Sequence, residues 1–120
     1  MIKLVSVATV MEQLHLDNDM QTAWLDVAIA GVSAAVVAWV GGIERLAPVD
    51  SSGNPTIDSD GVVEDVDGAA VLAVLVEVAY QYRFREGAAE QDQGDWYATG
   101  YVLNMSSTAL LTPLREPVVR

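Results

Sequence analysis

Two stretches of this chain, Ala23 to Val40 and Gly68 to Phe84, have helical length and are too apolar for the surface helices of a small monomer. At helical periodicity the first places Leu25, Ile29, Val32, Val36, Trp39 and Val40 on one broad face, as a core-facing helix requires. Its opposite side carries no charge. Ala30, Gly31, Ala34, Ala35 and Ala38 lie there, short enough for a second helix to approach closely, and only Asp26 and Ser33 are polar between the two faces. The second stretch puts Val71, Leu75, Val78 and Tyr82 in one stripe, widened by Leu72, Val76 and Ala79, with Glu77 and Gln81 as its polar strip before Arg83. A chain of 120 residues builds one modest core, and short helices cannot cover both sides of each long one. The surplus apolar surface is expected to meet another subunit.

Composition narrows the class. Apolar residues make up 52% of the chain and the formal charge is −11, which describes an acidic folded domain and not a disordered one. One domain, residues 1–120, is the natural count. Without cysteine there is no disulfide framework, thiol nucleophile or thiolate-bound metal. The charge-free run between Asp26 and Glu44 is closed by Gly41-Gly42 and falls short of a bilayer-spanning segment, so no membrane partner is expected. Lys3 and the apolar residues Leu4 to Met11 lack a signal peptide's cleavage site, since Glu12 and Gln13 follow, and retention in the cytoplasm is expected.

Residues 1–79 carry twelve acidic and two basic side chains, so any basic surface must come from Arg83, Arg85, Arg115 and Arg120. These arginines are interleaved with Glu86, Glu90, Asp92, Asp95 and Glu116 and do not make a phosphate-gripping patch. An acidic surface repels DNA, as suits a sleeve through which DNA slides without sticking.

Punctuation along the chain predicts a short extended piece at Ile2 to Val7. Thr9-Val10-Met11-Glu12 then has capping-box spacing for a helix to about Leu14. His15 to Asp19 reads as a turn in which Asn18 or Asp19 caps the first long helix, and Gly41-Gly42 ends that helix. Residues 46–66, rich in Pro, Gly, Ser and Asp, read as an exposed acidic loop or hairpin, with Asp65 or Asp67 capping the second long helix. That helix runs to about Arg85; Tyr82 continues its core stripe, and Tyr80 and Phe84 stand at i, i+4. Glu86 to Gly100 is polar, anchored by Trp96, Tyr97 and Tyr101. Ser106 or Ser107 caps a last short helix through Leu111, stopped by Pro113. No internal repeat is apparent. The expected fold is mainly α: a small helical bundle with two long helices, short N- and C-terminal helices and a long acidic mid-chain loop.

Chemical motifs are sparse. Asp58-Ser59-Asp60-Gly61 with Asp67 six residues past the glycine has part of a calcium-loop register, but Thr56 stands at the first acidic position and no helix enters the loop, so an exposed acidic hairpin is the simpler account. His15 is the only histidine, no Gly-x-Ser-x-Gly elbow exists, and nothing draws Asp17 with Asp19, or Glu64 with Asp65, into a pocket. Gly41-Gly42 follows a helix and cannot cradle a phosphate as a helix-opening loop does. No catalytic, cofactor or metal residue is assigned.

The order of features, Thr9-Val10-Met11-Glu12-Gln13-Leu14-His15-Leu16-Asp17-Asn18-Asp19 followed by a long alanine-rich helix closing on Trp39 and Gly41, resembles the head-tail connector, or adaptor, family of long-tailed bacteriophages. The resemblance continues through Arg85-Glu86 at the end of the second helix and Leu110-Leu111-Thr112-Pro113-Leu114-Arg115 near the C-terminus, and so spans most of the chain. Leu114 replaces the usual aromatic, the long helix lacks the family's charges, and the acidic loop is enlarged. The resemblance implies a structural virion protein at the head-tail junction, made in the host cytoplasm. It further implies a ring of about a dozen subunits under the portal protein, joined to a tail-side stopper or tail-completion protein, with DNA passing through the lumen.

A ring makes heterologous contacts through two different faces of each subunit. The Leu25, Ile29, Val32, Val36 stripe is assigned to the subunit's own core, and Gly31, Ala34, Ala35 and Ala38 to a neighbour contact; burial of both sides within one chain is the competing arrangement. The tail, residues 113–120, mixes Leu114, Val118 and Val119 with Arg115 and Arg120 as a docking arm would. The alternative function is a small acidic helical module, a regulator or inhibitor that binds one basic partner and needs no second self-contact.

Overall fold

The computed structural model describes residues 2–15, 22–85 and 103–115, the side chains of 84 and 85 excepted. Within them the chain is mainly helical: α1 (Val7–Gln13), α2 (Thr22–Val40), α3 (Gly68–Arg85) and α4 (Met105–Leu111), with single 3-10 turns at Ile43–Arg45 and Thr112–Leu114. Helix α3 packs against both α2 and α4, and α1 touches both α2 and α3. Leu25, Ile29, Val36, Val40, Ala70, Ala73, Val74, Val78 and Leu111 are wholly buried and form the centre of the core.

Local chemistry sets the helix ends. Helix α1 starts earlier than its capping-box spacing predicts: Ser6, in extended conformation, accepts the Thr9 amide at 3.1 Å, so Thr9 is the third helical residue and not the cap. The expected extended piece contracts to one paired residue, Lys3, whose amide donates to Gly61 O at 3.0 Å and whose carbonyl accepts from the Val63 amide at 2.9 Å. His15 has φ 57°; the proposed caps Asn18 and Asp19 lie outside the described residues. Helix α2 ends where the amides of Gly41 and Gly42 both reach Val37 O, at 3.1 Å each. Gly42, at φ 144°, holds a backbone conformation that side-chain-bearing residues rarely adopt, and a β-carbon there would also have to displace the Glu44 carboxylate. Of the two candidate caps for α3, Asp67 serves, its carboxylate accepting the Ala69 amide at 2.9 Å, while Asp65 takes a left-handed conformation at φ 57°. Helix α4 is capped by Asn104, whose side chain accepts from the Ser106 amide at 3.2 Å, and not by Ser106 or Ser107. Helix α4 ends at Leu111 as expected, and Pro113 sits in the 3-10 turn that follows it.

Helix α3 is rotated from its expected setting. Its buried line is Ala70, Ala73, Val74, Glu77 and Val78, whereas Leu72 is 48% exposed and Val71 and Leu75 are only partly buried. The alanines let α4 come close on one side while Val74 and Val78 pack on the other. Glu77, expected on a polar strip, is 1% exposed because the N-terminal end of α4 covers it and the Asn104 amide donates to its Oε1. Ser107 is likewise buried and donates to Ala73 O at 3.4 Å. On α2, Ala30 and Ser33 are buried too, Ser33 because its hydroxyl accepts the Leu4 amide at 3.0 Å.

The acidic segment 46–66 is not wholly exposed: Leu46, Ala47 and Val63 are buried and pin it to the core. Between these anchors it makes the same turn twice, a short repeat where none was expected. Asp50 Oδ1 accepts from the amides of Ser52 (2.8 Å) and Asn54 (3.0 Å), and Asp58 Oδ1 accepts from those of Asp60 (2.9 Å) and Val62 (3.0 Å). Each turn closes through a glycine of positive φ, Gly53 at 82° and Gly61 at 81°, in Asp-Ser-x-Gly. Pairing stays at isolated bridges, Val49 with Pro55 and Ile57 with Val63.

Candidate functional site: the outer face of α2

Helix α2 has one side in the core and one side facing out. Leu25, Ile29, Val32, Val36 and Val40 are at most 4% exposed. A hundred degrees or more around the helix, Gly31, Ala34 and Ala38 are exposed, Ala35 is half-buried, and Val27 is 62% exposed. The predicted contact residues thus form a ridge of minimal height along the accessible side. Among the described residues nothing stands within 4 Å of the place a methyl group would occupy on Gly31, so their packing does not demand its small size.

An apolar groove flanks the ridge on each side. One, of about 630 Å³, is walled by Ile2 of the N-terminal segment and Ile43 of the turn after α2, with Val27, Ala34, Val37 and Ala38 as its floor. The other, of about 370 Å³, runs between Trp24, Ala28, Val32 and Ala35 and reaches Gln81 on α3. Trp24 meets Tyr82 edge-on, with ring centroids 6.1 Å apart, which props that wall. Gln81 Nε2 is buried beside this groove and has no hydrogen-bond partner among the described residues. Charge is confined to the ends: Asp26 pairs with Lys3 at 2.6 Å, and Glu44 lies past the glycines. By length and composition α2, at 19 residues, is long and apolar enough to cross a membrane, contrary to the expectation from its charge-free run; seven of its residues are buried in this subunit's core.

The C-terminal end of α2 is clamped by two arginines. Arg45 Nε donates to Leu114 O at 2.8 Å and its Nη2 to Arg115 O at 3.4 Å. Arg115 Nε donates to Trp39 O at 3.2 Å, and its guanidinium lies 4.3 Å from the centre of the Trp39 ring. Of the proposed docking arm, therefore, Leu114 packs against the core and Arg115 holds α2 of its own subunit; Val118, Val119 and Arg120 lie outside the described residues.

No reactive constellation accompanies this face. Among the described residues no three metal-ligating side chains converge, and Asp58 and Asp67, both in the partial calcium register, are engaged by backbone amides. Sequence inspection missed Val27, Ile2, Ile43 and Gln81. Val27 was within reach, standing one helical turn before Gly31, whereas Ile2, Ile43 and Gln81 arrive from distant segments. Compared with known family models, curated proteins and solved structures, the chain matches none.

Proposed function

We propose that this chain is a structural subunit of a head-tail connector, assembling as a ring beneath a phage portal and joining the DNA-filled head to a tail-side stopper or tail-completion protein. The observation that supports this best is the two-sidedness of α2: one face is fully used by the subunit's own core, and the other is uncharged, low and flanked by apolar grooves. A closed ring needs such a second face on every subunit, in contact with a different face of the next. Gly31, Ala34, Ala35 and Ala38 are the proposed ring contact. The arm that begins at Leu114 and Arg115 and continues to Val118, Val119 and Arg120 starts beside the end of the same helix and would join it. The charge of −11 suits a lumen that passes DNA without holding it.

The test is genetic. Deleting the coding region from the phage genome and viewing the lysate by electron microscopy should show free tails beside heads that leak or lack DNA, restored by supplying the wild-type gene. Normal joined particles would overturn the connector assignment and favour the acidic regulator that binds one basic partner.

A further inference from the structure

The sequence holds two Asp-Gly steps, Asp60-Gly61 and Asp67-Gly68. At such a step the amide nitrogen after the aspartate is least shielded, because glycine has no β-carbon. That nitrogen can attack the aspartate's own side-chain carboxyl: the N–Cγ bond forms, the carboxyl hydroxyl departs with the amide proton as water, and a cyclic imide closes. Water then reopens the ring. Addition at Cγ restores aspartate, whereas addition at the former main-chain carbonyl leaves isoaspartate, whose backbone runs through the side chain and is one carbon longer. One water is lost and one regained, and no other reactant is needed.

Both aspartates are exposed, so solvent access does not separate the two steps; bonding does. Asp67 is held at three points. Its amide donates to Leu46 O at 2.7 Å, its carboxylate accepts the Ala69 amide at 2.9 Å, and its carbonyl accepts the Val71 amide at 3.1 Å as α3 begins. The carboxyl that would be attacked is thus the helix cap itself. Asp60 donates its amide to Asp58 Oδ1 at 2.9 Å, but its carboxylate has no hydrogen bond or ion pair among the described residues. The Gly61 amide is engaged within the turn, on Asp58 O at 3.1 Å. Ring closure at Asp60 therefore disturbs one surface turn, whereas at Asp67 it uncaps and unwinds the start of a long helix. We propose that Asp60-Gly61 is a site of spontaneous isoaspartate formation in the folded protein, and that the α3 cap protects Asp67-Gly68. This chemistry is independent of the connector assignment. Its position gives it a structural consequence: Gly61 O accepts the Lys3 amide at 3.0 Å and the Val63 amide donates to Lys3 O at 2.9 Å, so the N-terminal segment is tied to the residues whose backbone path lengthens. Isoaspartate at position 60 loosens that tie.

The test ages the full-length protein for weeks in neutral buffer, with a parallel sample held unfolded in urea. Methyl transfer by an isoaspartyl methyltransferase measures the total product, and electron-transfer fragmentation of the intact chain assigns it to position 60 or 67, so both rates come from one sample. In the folded protein isoaspartate should accumulate at position 60 at least about fivefold faster than at 67, the factor by which a helix cap of ordinary strength lowers the uncapped population. In urea the two rates should converge. Equal rates in the folded protein, a faster rate at 67, or no product at 60 would each overturn the proposal. A preference for 60 that persists undiminished in urea would overturn it as well, because neighbouring side chains and not the cap would then set the rates. As a second readout, the purified isoaspartate form should exchange its Lys3 and Val63 amide hydrogens faster than fresh protein. Unchanged exchange at both would overturn the link to the N-terminal segment.

Discussion

The most consequential single residue is Glu77, which sits 1% exposed between α3 and α4 and accepts the Asn104 amide. Truncating it leaves a part-buried N–H without this acceptor and opens a void, so Glu77→Ala should lower unfolding stability by about 1–3 kcal/mol in chemical denaturation, detaching α4 first in hydrogen exchange. Ser33 is a smaller version of the same device, linking α2 to the Leu4 amide. By contrast the Lys3–Asp26 pair, though only 2.6 Å long, has an Asp26 side chain 46% exposed. Lys3→Met should therefore change stability by less than about 1 kcal/mol in the same assay. These differences explain what the letters could not convey. Glu77 and Gln81 look alike on a helical projection, and only the arrival of α4 beside Glu77 encloses it fully while Gln81 stays half-buried.

At the scale of elements, α2 was the most legible part of the chain. Its apolar periodicity, its closing Gly41-Gly42 and its uncharged outer side all appear in the sequence, because a single helix's faces follow from spacing alone. The setting of α3 was not legible: it packs two neighbours at once, and its alanines, which have no strong preference in a projection, determine how close they come. The twin Asp-Ser-x-Gly motif stands in the sequence at 50–53 and 58–61 but has no hydrophobic period to mark it, and the shared bonding of the two aspartates shows it to be one turn made twice. One prediction separates intrinsic helix stability from interface demand. With open space around Gly31, Gly31→Ala should stabilise the isolated subunit by about 0.5–1 kcal/mol, seen as a higher Tm. In the buried stripe of the same helix, Ile29→Ala should cost about 2–5 kcal/mol.

For the whole molecule the question is what the outer side of α2 meets. Ala35→Glu places a charge on a half-buried, apolar strip without touching the core stripe, and it should leave a folded subunit that no longer assembles, checked by circular dichroism together with sedimentation in the presence of portal. Unfolding of this variant would show instead that both faces are internal. The double-arginine clamp at the end of α2 carries one further consequence, in the language of proteolysis. Trypsin must draw an arginine side chain out into its specificity pocket, yet Arg45 is held on the carbonyls of Leu114 and Arg115, and Arg115 on the ring and carbonyl of Trp39. Cleavage at these two arginines therefore requires the clamp to open, and the rate at which they are cut becomes a clock for how often the C-terminal end lets go of the helix it guards.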